Sequence, residues 1–211
     1  MRTRIRCLAT LLVLLAAPLS ADSLSKKYRS WEKSPEAYFL TAEERLQWKK
    51  VQADADADKF IAGCLARRGP DFPAMLKERI AVADKYFSSG KVKGSETLRG
   101  KVIILFGPPT SIDQTASKSA MGAGTTDGDA SYKGADVANP FSNVGAGAAG
   151  LRHSERSASF NFDYGKAQAP AAIGKPFRVE LLLRSDLDQA AVDPQALEEK
   201  FEAVARSSIT R

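Results

Sequence analysis

At 211 residues the chain is long enough for one domain with an ordinary hydrophobic core, and its two cysteines are too few to staple it. It carries 31 Lys+Arg against 25 Asp+Glu, but Arg2, Arg4 and Arg6 stand in a leader-like segment with no acid, so the 190 residues after it hold 28 against 25, a net +3. That balance is ordinary solubility rather than the basic surface of a nucleic-acid binder, and nothing after the leader is apolar enough to span a bilayer.

Residues 1–21 read as a signal peptide. A basic n-region precedes a ten-residue apolar core from Leu8 to Ala17, and Pro18-Leu-Ser-Ala21 offers a small residue for cleavage near Ala21. A signal anchor is the alternative, which ten apolar residues are too few to satisfy. Cys7 lies ahead of the apolar core and is misplaced for lipidation. Cys64 is then the only thiol of the mature chain, flanked by Phe60, Ile61 and Leu65 at helical spacing, where a cysteine packs as a small hydrophobe. The expected location is secreted or periplasmic.

An arm, residues 22–40, interleaves basic and aromatic side chains: Lys26-Lys-Tyr-Arg-Ser-Trp31, then Tyr38-Phe-Leu40. Such a run either grips an anionic surface or docks its aromatics onto the domain, and docking is the simpler reading. Residues 41–109 form a helical region and a central strand. Thr41-Ala-Glu-Glu44 is a capping box that opens a first helix. Asp54-Ala-Asp-Ala-Asp58 resembles the start of a calcium loop, but Lys59 and Leu65 occupy the positions that need glycine and glutamate. The acids better suit the start of a second helix, roughly 56–68, which Arg67-Arg-Gly-Pro70 ends. In a third helix Phe72, Leu76, Ile80, Ala83 and Phe87 fall on one core-facing stripe.

Gly100-Lys-Val-Ile-Ile-Leu-Phe-Gly-Pro-Pro109 is the most apolar run of the domain. Val102 to Phe106 show no alternation, which predicts a strand covered on both faces and stopped by Gly107 and the prolines. From Thr115 to Arg156, 24 of 42 residues are Gly, Ala, Ser or Thr, too little apolar surface to offset ordering, so 110–156 is expected to be a loop. Residues 157–206 complete the domain. Ala158, Phe160, Phe162 and Tyr164 alternate with Ser159, Asn161 and Asp163; Phe177, Val179, Leu181 and Leu183 alternate with Arg178, Glu180 and Arg184. These are two half-buried strands joined as a hairpin. Asp193-Pro194 starts a final helix with Leu197, Phe201 and Val204 inward. The expected class is α+β: N-terminal helices on a small, mainly antiparallel sheet, with a C-terminal helix.

Three of these segments recur together elsewhere. Tyr38-Phe-Leu-Thr-Ala-Glu-Glu-Arg45, Phe60-Ile61 with Arg67-Arg68 before Pro70, and Gly100 to Pro109 occur in the order shown by the GWxTD-domain family of exported bacterial proteins, which the chain resembles over about residues 28 to 112. The resemblance implies export and architecture rather than an activity. Its motif positions here are Gly94, Thr97, Arg99, Gly100, Gly107, Pro108 and Pro109. Ser95 stands where the family has tryptophan and Leu98 where it has aspartate, so the signature is degenerate.

No catalytic constellation emerges. A single histidine, His153, and a single mature thiol give no zinc set, and neither a nucleophile elbow nor a P-loop is present. No cofactor, metal or catalytic residue is expected. The candidate binding residues are basic: Lys91, Lys93, Arg99 and Lys101 around the entry to the central run, with Arg67 and Arg68, suited to an anionic polymer or an envelope protein and not to nucleic acid. The expected role is a non-catalytic binding or assembly module of the cell envelope. The alternative is an envelope hydrolase using the polar sheet face, Asn161 and Asp163 with His153, under the 110–156 segment as a lid.

Overall fold

The computed structural model describes residues 24–118, 141, 156–184, 187–190 and 193–209, of which 115–118, 156–157, 184 and 187–188 by backbone alone. Among them are six α-helices and one four-stranded antiparallel sheet, so the domain is α+β with a C-terminal helix. None of these helices is long and apolar enough to cross a membrane.

The arm docks. A short helix, α1 (Lys26–Arg29), and two 3-10 turns, Trp31–Lys33 and Pro35–Phe39, lie against α2 (Ala42–Trp48) and α3 (Asp54–Ala66). Tyr28, Trp48 and Ala57 are buried together with Trp31 and Phe60 around them, and the Trp31 and Trp48 rings sit 4.6 Å apart. The acidic run of α3 holds the arm down: Asp54 accepts the Ser25 N–H at 2.8 Å and Asp58 accepts the Tyr28 hydroxyl. Two acids four positions apart share one face of a helix, so Asp54 and Asp58 clamp one turn of the arm as well as favouring the positive end of α3. The Thr41–Glu44 capping box forms as its spacing predicts.

The third helix, α4 (Phe72–Phe87), buries Phe72, Leu76, Ala83 and Phe87, with Ile80 half-buried beside them. A turn bridging Ser89 and Val92 and a 3-10 turn at Gly94–Glu96 then lead into the most apolar run. Here the structure corrects the sequence reading: Val102 to Phe106 are not a strand but the body of α5 (Leu98–Phe106). All five are at most 3% exposed. An apolar run without alternation fits either a strand covered on two faces or a helix covered all round, and here every side of the helix is covered. Helix propensity opposes this outcome by at most ~0.7 kcal/mol per residue. Burial of each side chain favours it by ~2 kcal/mol, so packing decides.

The ends of α5 are made by its flanks. Thr97 Oγ1 accepts the Gly100 N–H at 3.0 Å, and Gly107 closes the helix at φ +86°, a conformation that favours glycine. Arg79 of α4 donates to the Ile104 and Leu105 carbonyls at 2.8 and 3.1 Å, and the Tyr164 hydroxyl donates to the Gly107 carbonyl at 3.1 Å. Burial pushes the Tyr164 phenol well above its usual range, so it remains a donor. Replacing Arg79 with methionine strips a buried helix end of both donors. The variant is expected to lose about 2 kcal/mol in urea unfolding.

The strand that the sheet needs lies just beyond. β1 (Ser111–Lys118) pairs antiparallel with β2 (Arg156–Tyr164), β2 with β3 (Phe177–Arg184) and β3 with β4 (Leu187–Ala190), in the order β1-β2-β3-β4. This corrects the start of the 110–156 loop, whose first stretch is edge strand. Residues 119–155, Phe141 apart, lie outside the described residues, as do the leader, Cys7 and His153. Phe141 is buried and stacks on Tyr86 at 4.6 Å.

The inner sheet face, Ile112, Ala158, Phe160, Phe162, Tyr164, Val179 and Leu181, closes over α4, α5 and α6 (Pro194–Ser207). Phe106 joins the layers, with ring centroids 5.6 Å from Tyr164, 5.2 Å from Phe177 and 5.1 Å from Phe201. α6 starts as its sequence predicts. Asp193 accepts the Ala196 N–H at 3.0 Å, Pro194 takes the first position, and Leu197, Phe201 and Val204 are buried.

Candidate functional site

The six basic candidates do not share one role. Arg67 and Arg68 follow α3 and converge on Glu44 of α2. Arg68 approaches Glu44 Oε2 at 2.6 Å with its side chain 2% exposed, and Arg67 reaches Oε1 at 2.6 Å. Arg68 also donates to the carbonyls of Cys64, at 2.7 Å, and Phe39, and to Ser208 Oγ at 3.2 Å. It therefore ties the arm, α3 and the end of α6 into one unit. Burial pushes the neighbouring Cys64 thiol up to about 11, which leaves it a protonated packing group at neutral pH.

Arg99 turns inward. It is 6% exposed, with its guanidinium 4.7 Å from the Phe160 ring centroid and 5.5 Å from that of Phe87, a cation–π arrangement joining α5 to sheet and α4. Lys101 donates to Glu198 of α6 at 3.0 Å and lies 4.3 Å from the Phe201 ring centroid. Lys91 and Lys93 are exposed around the turn after α4 and pair with no carboxylate among the described residues. Four of the six thus have internal partners.

The segment from Gly94 to Gly100 is a packing knot. A Cβ on Gly94 would lie 1.9 Å from the Ala83 carbonyl oxygen, and one on Gly100 would lie 1.9 Å from the Gly94 carbonyl oxygen. Three stretches of backbone stack there in direct contact, and only glycine permits it. Ser95 is 2% exposed; its N–H reaches Asp84 Oδ1 at 2.7 Å and its carbonyl accepts the Tyr38 hydroxyl at 2.8 Å. Burial, then Glu96 and Glu36, push the Tyr38 phenol up to about 12. Thr97 caps α5 and Gly107 ends it; Pro109 is buried and Pro108 exposed.

What remains open is the outer face of the sheet. The register sets Asp113 beside Asn161 and Asn161 beside Glu180, with Ser111, Asp163 and Arg178 forming the next row. Arg178 grips Asp163 with two bonds, at 2.7 and 3.1 Å. Hydrogen bonding and charge from Asp163, with further attraction from Asp113 and Glu180, raise the guanidinium's pKa still further. Asp113 and Glu180 make no ion pair among the described residues. Around the edge of β3 this face runs into an open groove of about 250 Å³ lined by Arg178, Val179, Glu180, Ala190, Leu197 and Lys200, among others.

Chemically, the face offers two carboxylates that make no direct ion pair among the described residues, an amide and hydroxyls. Asp163 is fixed by Arg178, a poor arrangement for a general base, which needs a carboxylate free to take a proton. Among the described residues no three His, Cys, Asp or Glu side chains are grouped to hold a metal. Sequence reasoning placed Asn161, Asp163 and Glu180 on this face but missed Asp113, because β1 was assigned to the loop. The signal was present: the inward Ile112 and Gln114 alternate with Ser111 and Asp113. Comparison with protein-family models, curated proteins and solved structures found no match.

Proposed function

We propose that this chain is an exported module similar to the GWxTD domain, acting without turnover as a binding or assembly element of the cell envelope. Its contact surface on this reading is the outer sheet face, in place of the basic cluster. The observation that carries the proposal is the contrast in engagement. Arg67, Arg68, Arg99 and Lys101 all have internal partners, whereas Asp113 and Glu180, on one open row, make no direct ion pair among the described residues. Carboxylates that make no direct ion pair and lie on an open sheet face are available to a partner.

The test is site-specific photo-crosslinking of the whole chain in its exporting host. A photoreactive residue at Asn161 is expected to yield a discrete covalent adduct, and one at Lys91 none. The paired changes Asp113→Asn and Glu180→Gln should weaken the Asn161 adduct by about tenfold, the effect of two partly exposed charges at ~0.7 kcal/mol each. An adduct at Lys91 alone, or one at Asn161 indifferent to both carboxylates, rejects the sheet face. Turnover of an envelope polymer abolished by a single polar substitution rejects the non-catalytic role.

A further inference from the structure

We infer that residues 102–106 are a latent β-segment, which the fold holds helical and its flanking residues guard against pairing between chains. The inference rests on a conflict between local preference and observed state. Val102, Ile103, Ile104 and Phe106 are β-branched or aromatic, types that favour strands over helices. α5 has nine residues, fewer than an isolated helix needs to persist in water. Apart from its own Thr97 cap, its order comes from outside: the Arg79 and Tyr164 bonds at its far end, and cover from α4, α6 and the inner sheet face. Once that cover is lost, a single local cap at Thr97 is all that supports the helix. What remains is an uncharged run of five apolar residues, the kind of segment that enters cross-β stacks.

The flanks fit this reading. Arg99 and Lys101 precede the run, and Gly107-Pro108-Pro109 follows it at once. Charges and prolines beside an unavoidable apolar segment are the gatekeepers that interrupt strand addition. Pro108 is exposed, so its ring can be removed without opening the core. β3, a strongly apolar strand of the sheet, carries Arg178 and Glu180 within it and is its own gatekeeper.

The experiment holds the full-length chain near its melting midpoint and follows the lag before aggregation. The aggregate's protected core is then mapped by hydrogen exchange. The inference requires protection across 102–106 with a reflection near ~4.7 Å. Pro108→Ala should shorten the lag severalfold while the melting midpoint of the native protein stays within a degree or two. Lys101→Gln, which also gives up the Glu198 and Phe201 contacts, should shorten it severalfold when each protein is held at its own midpoint. Protection confined to 156–164 or 177–184, helix retained over 98–106 in the aggregate, unchanged lags in both variants, or an unfolded chain that stays soluble would each overturn it.

Discussion

Replacing Glu44 with alanine is expected to lower the stability of the domain by about 3–5 kcal/mol at neutral pH, the usual cost of stranding a buried charge. Arg68 is the charge left behind. Its side chain is 2% exposed, and Glu44 supplies the carboxylate that neutralises it. The Cys64 and Phe39 carbonyls would still accept its hydrogen bonds, but neutral acceptors do not replace an opposite charge. The same substitution removes the capping-box bond from the Thr41 N–H, at 3.0 Å, and the Arg67 contact. Three attachments of the arm and α2 therefore fail together.

The pair also sets an acid limit. Burial alone would raise the Glu44 pKa, but hydrogen bonds from Arg68, Arg67 and the Thr41 N–H outweigh it and hold the carboxyl down to about 2. A carboxyl depressed in the folded state stabilises fully above its ordinary value near 4.5, and that contribution is lost as pH falls toward 2. Urea unfolding across pH 5 to 2 should show a steep loss in the parent chain. Glu44→Gln should start lower and fall less across that window. Parallel curves for the two proteins would show that other carboxylates control the acid transition.

The second large effect is expected at the backbone knot. Gly100→Ala places a methyl 1.9 Å from the Gly94 carbonyl oxygen, and Gly94→Ala places one equally close to that of Ala83. Neither neighbour is a side chain that can swing away, so α5 or the turn before it must shift within a packed core. Each change is expected to cost at least ~3 kcal/mol, the upper end of ordinary overpacking, and to lower the melting point by roughly 10 °C. Gly63→Ala is the control. It lies within α3, its nearest neighbour is the Arg67 guanidinium at 3.5 Å, and it should be neutral or gain up to ~1 kcal/mol in helix propensity. A Gly100→Ala chain that melts like its parent would mean these glycines serve something other than packing.

These expectations show why the motif region and the basic cluster were hard to interpret from residues alone. Gly94, Thr97 and Gly100 are spaced like a signature, yet each meets a need of backbone packing or capping visible only when α4 and α5 lie together. Arg68 and Arg99 are cations in the sequence just as Lys91 and Lys93 are. Nothing in a one-dimensional reading says that Glu44, more than twenty positions away, will neutralise the first, or that two rings from different elements will flank the second.

Sequence by itself determined the features whose causes are local. The Thr41–Glu44 box, the five-residue stripe of α4, the period-two faces of β2 and β3, and the Asp193-Pro194 start of α6 depend on neighbours within a few positions, and each stands in the fold as its pattern predicts. Tertiary structure alone decided the rest. The run from Val102 to Phe106 satisfies a buried strand and a surrounded helix equally well, and the choice fell to the layers available to cover it. The strand role passed to Ser111–Lys118, whose small side chains conceal their alternation in a Gly/Ala/Ser/Thr-rich stretch. That exchange brought Asp113 beside Asn161, in one row with Glu180 on the far side of Asn161, a row made by three strands that no single stretch of the chain contains.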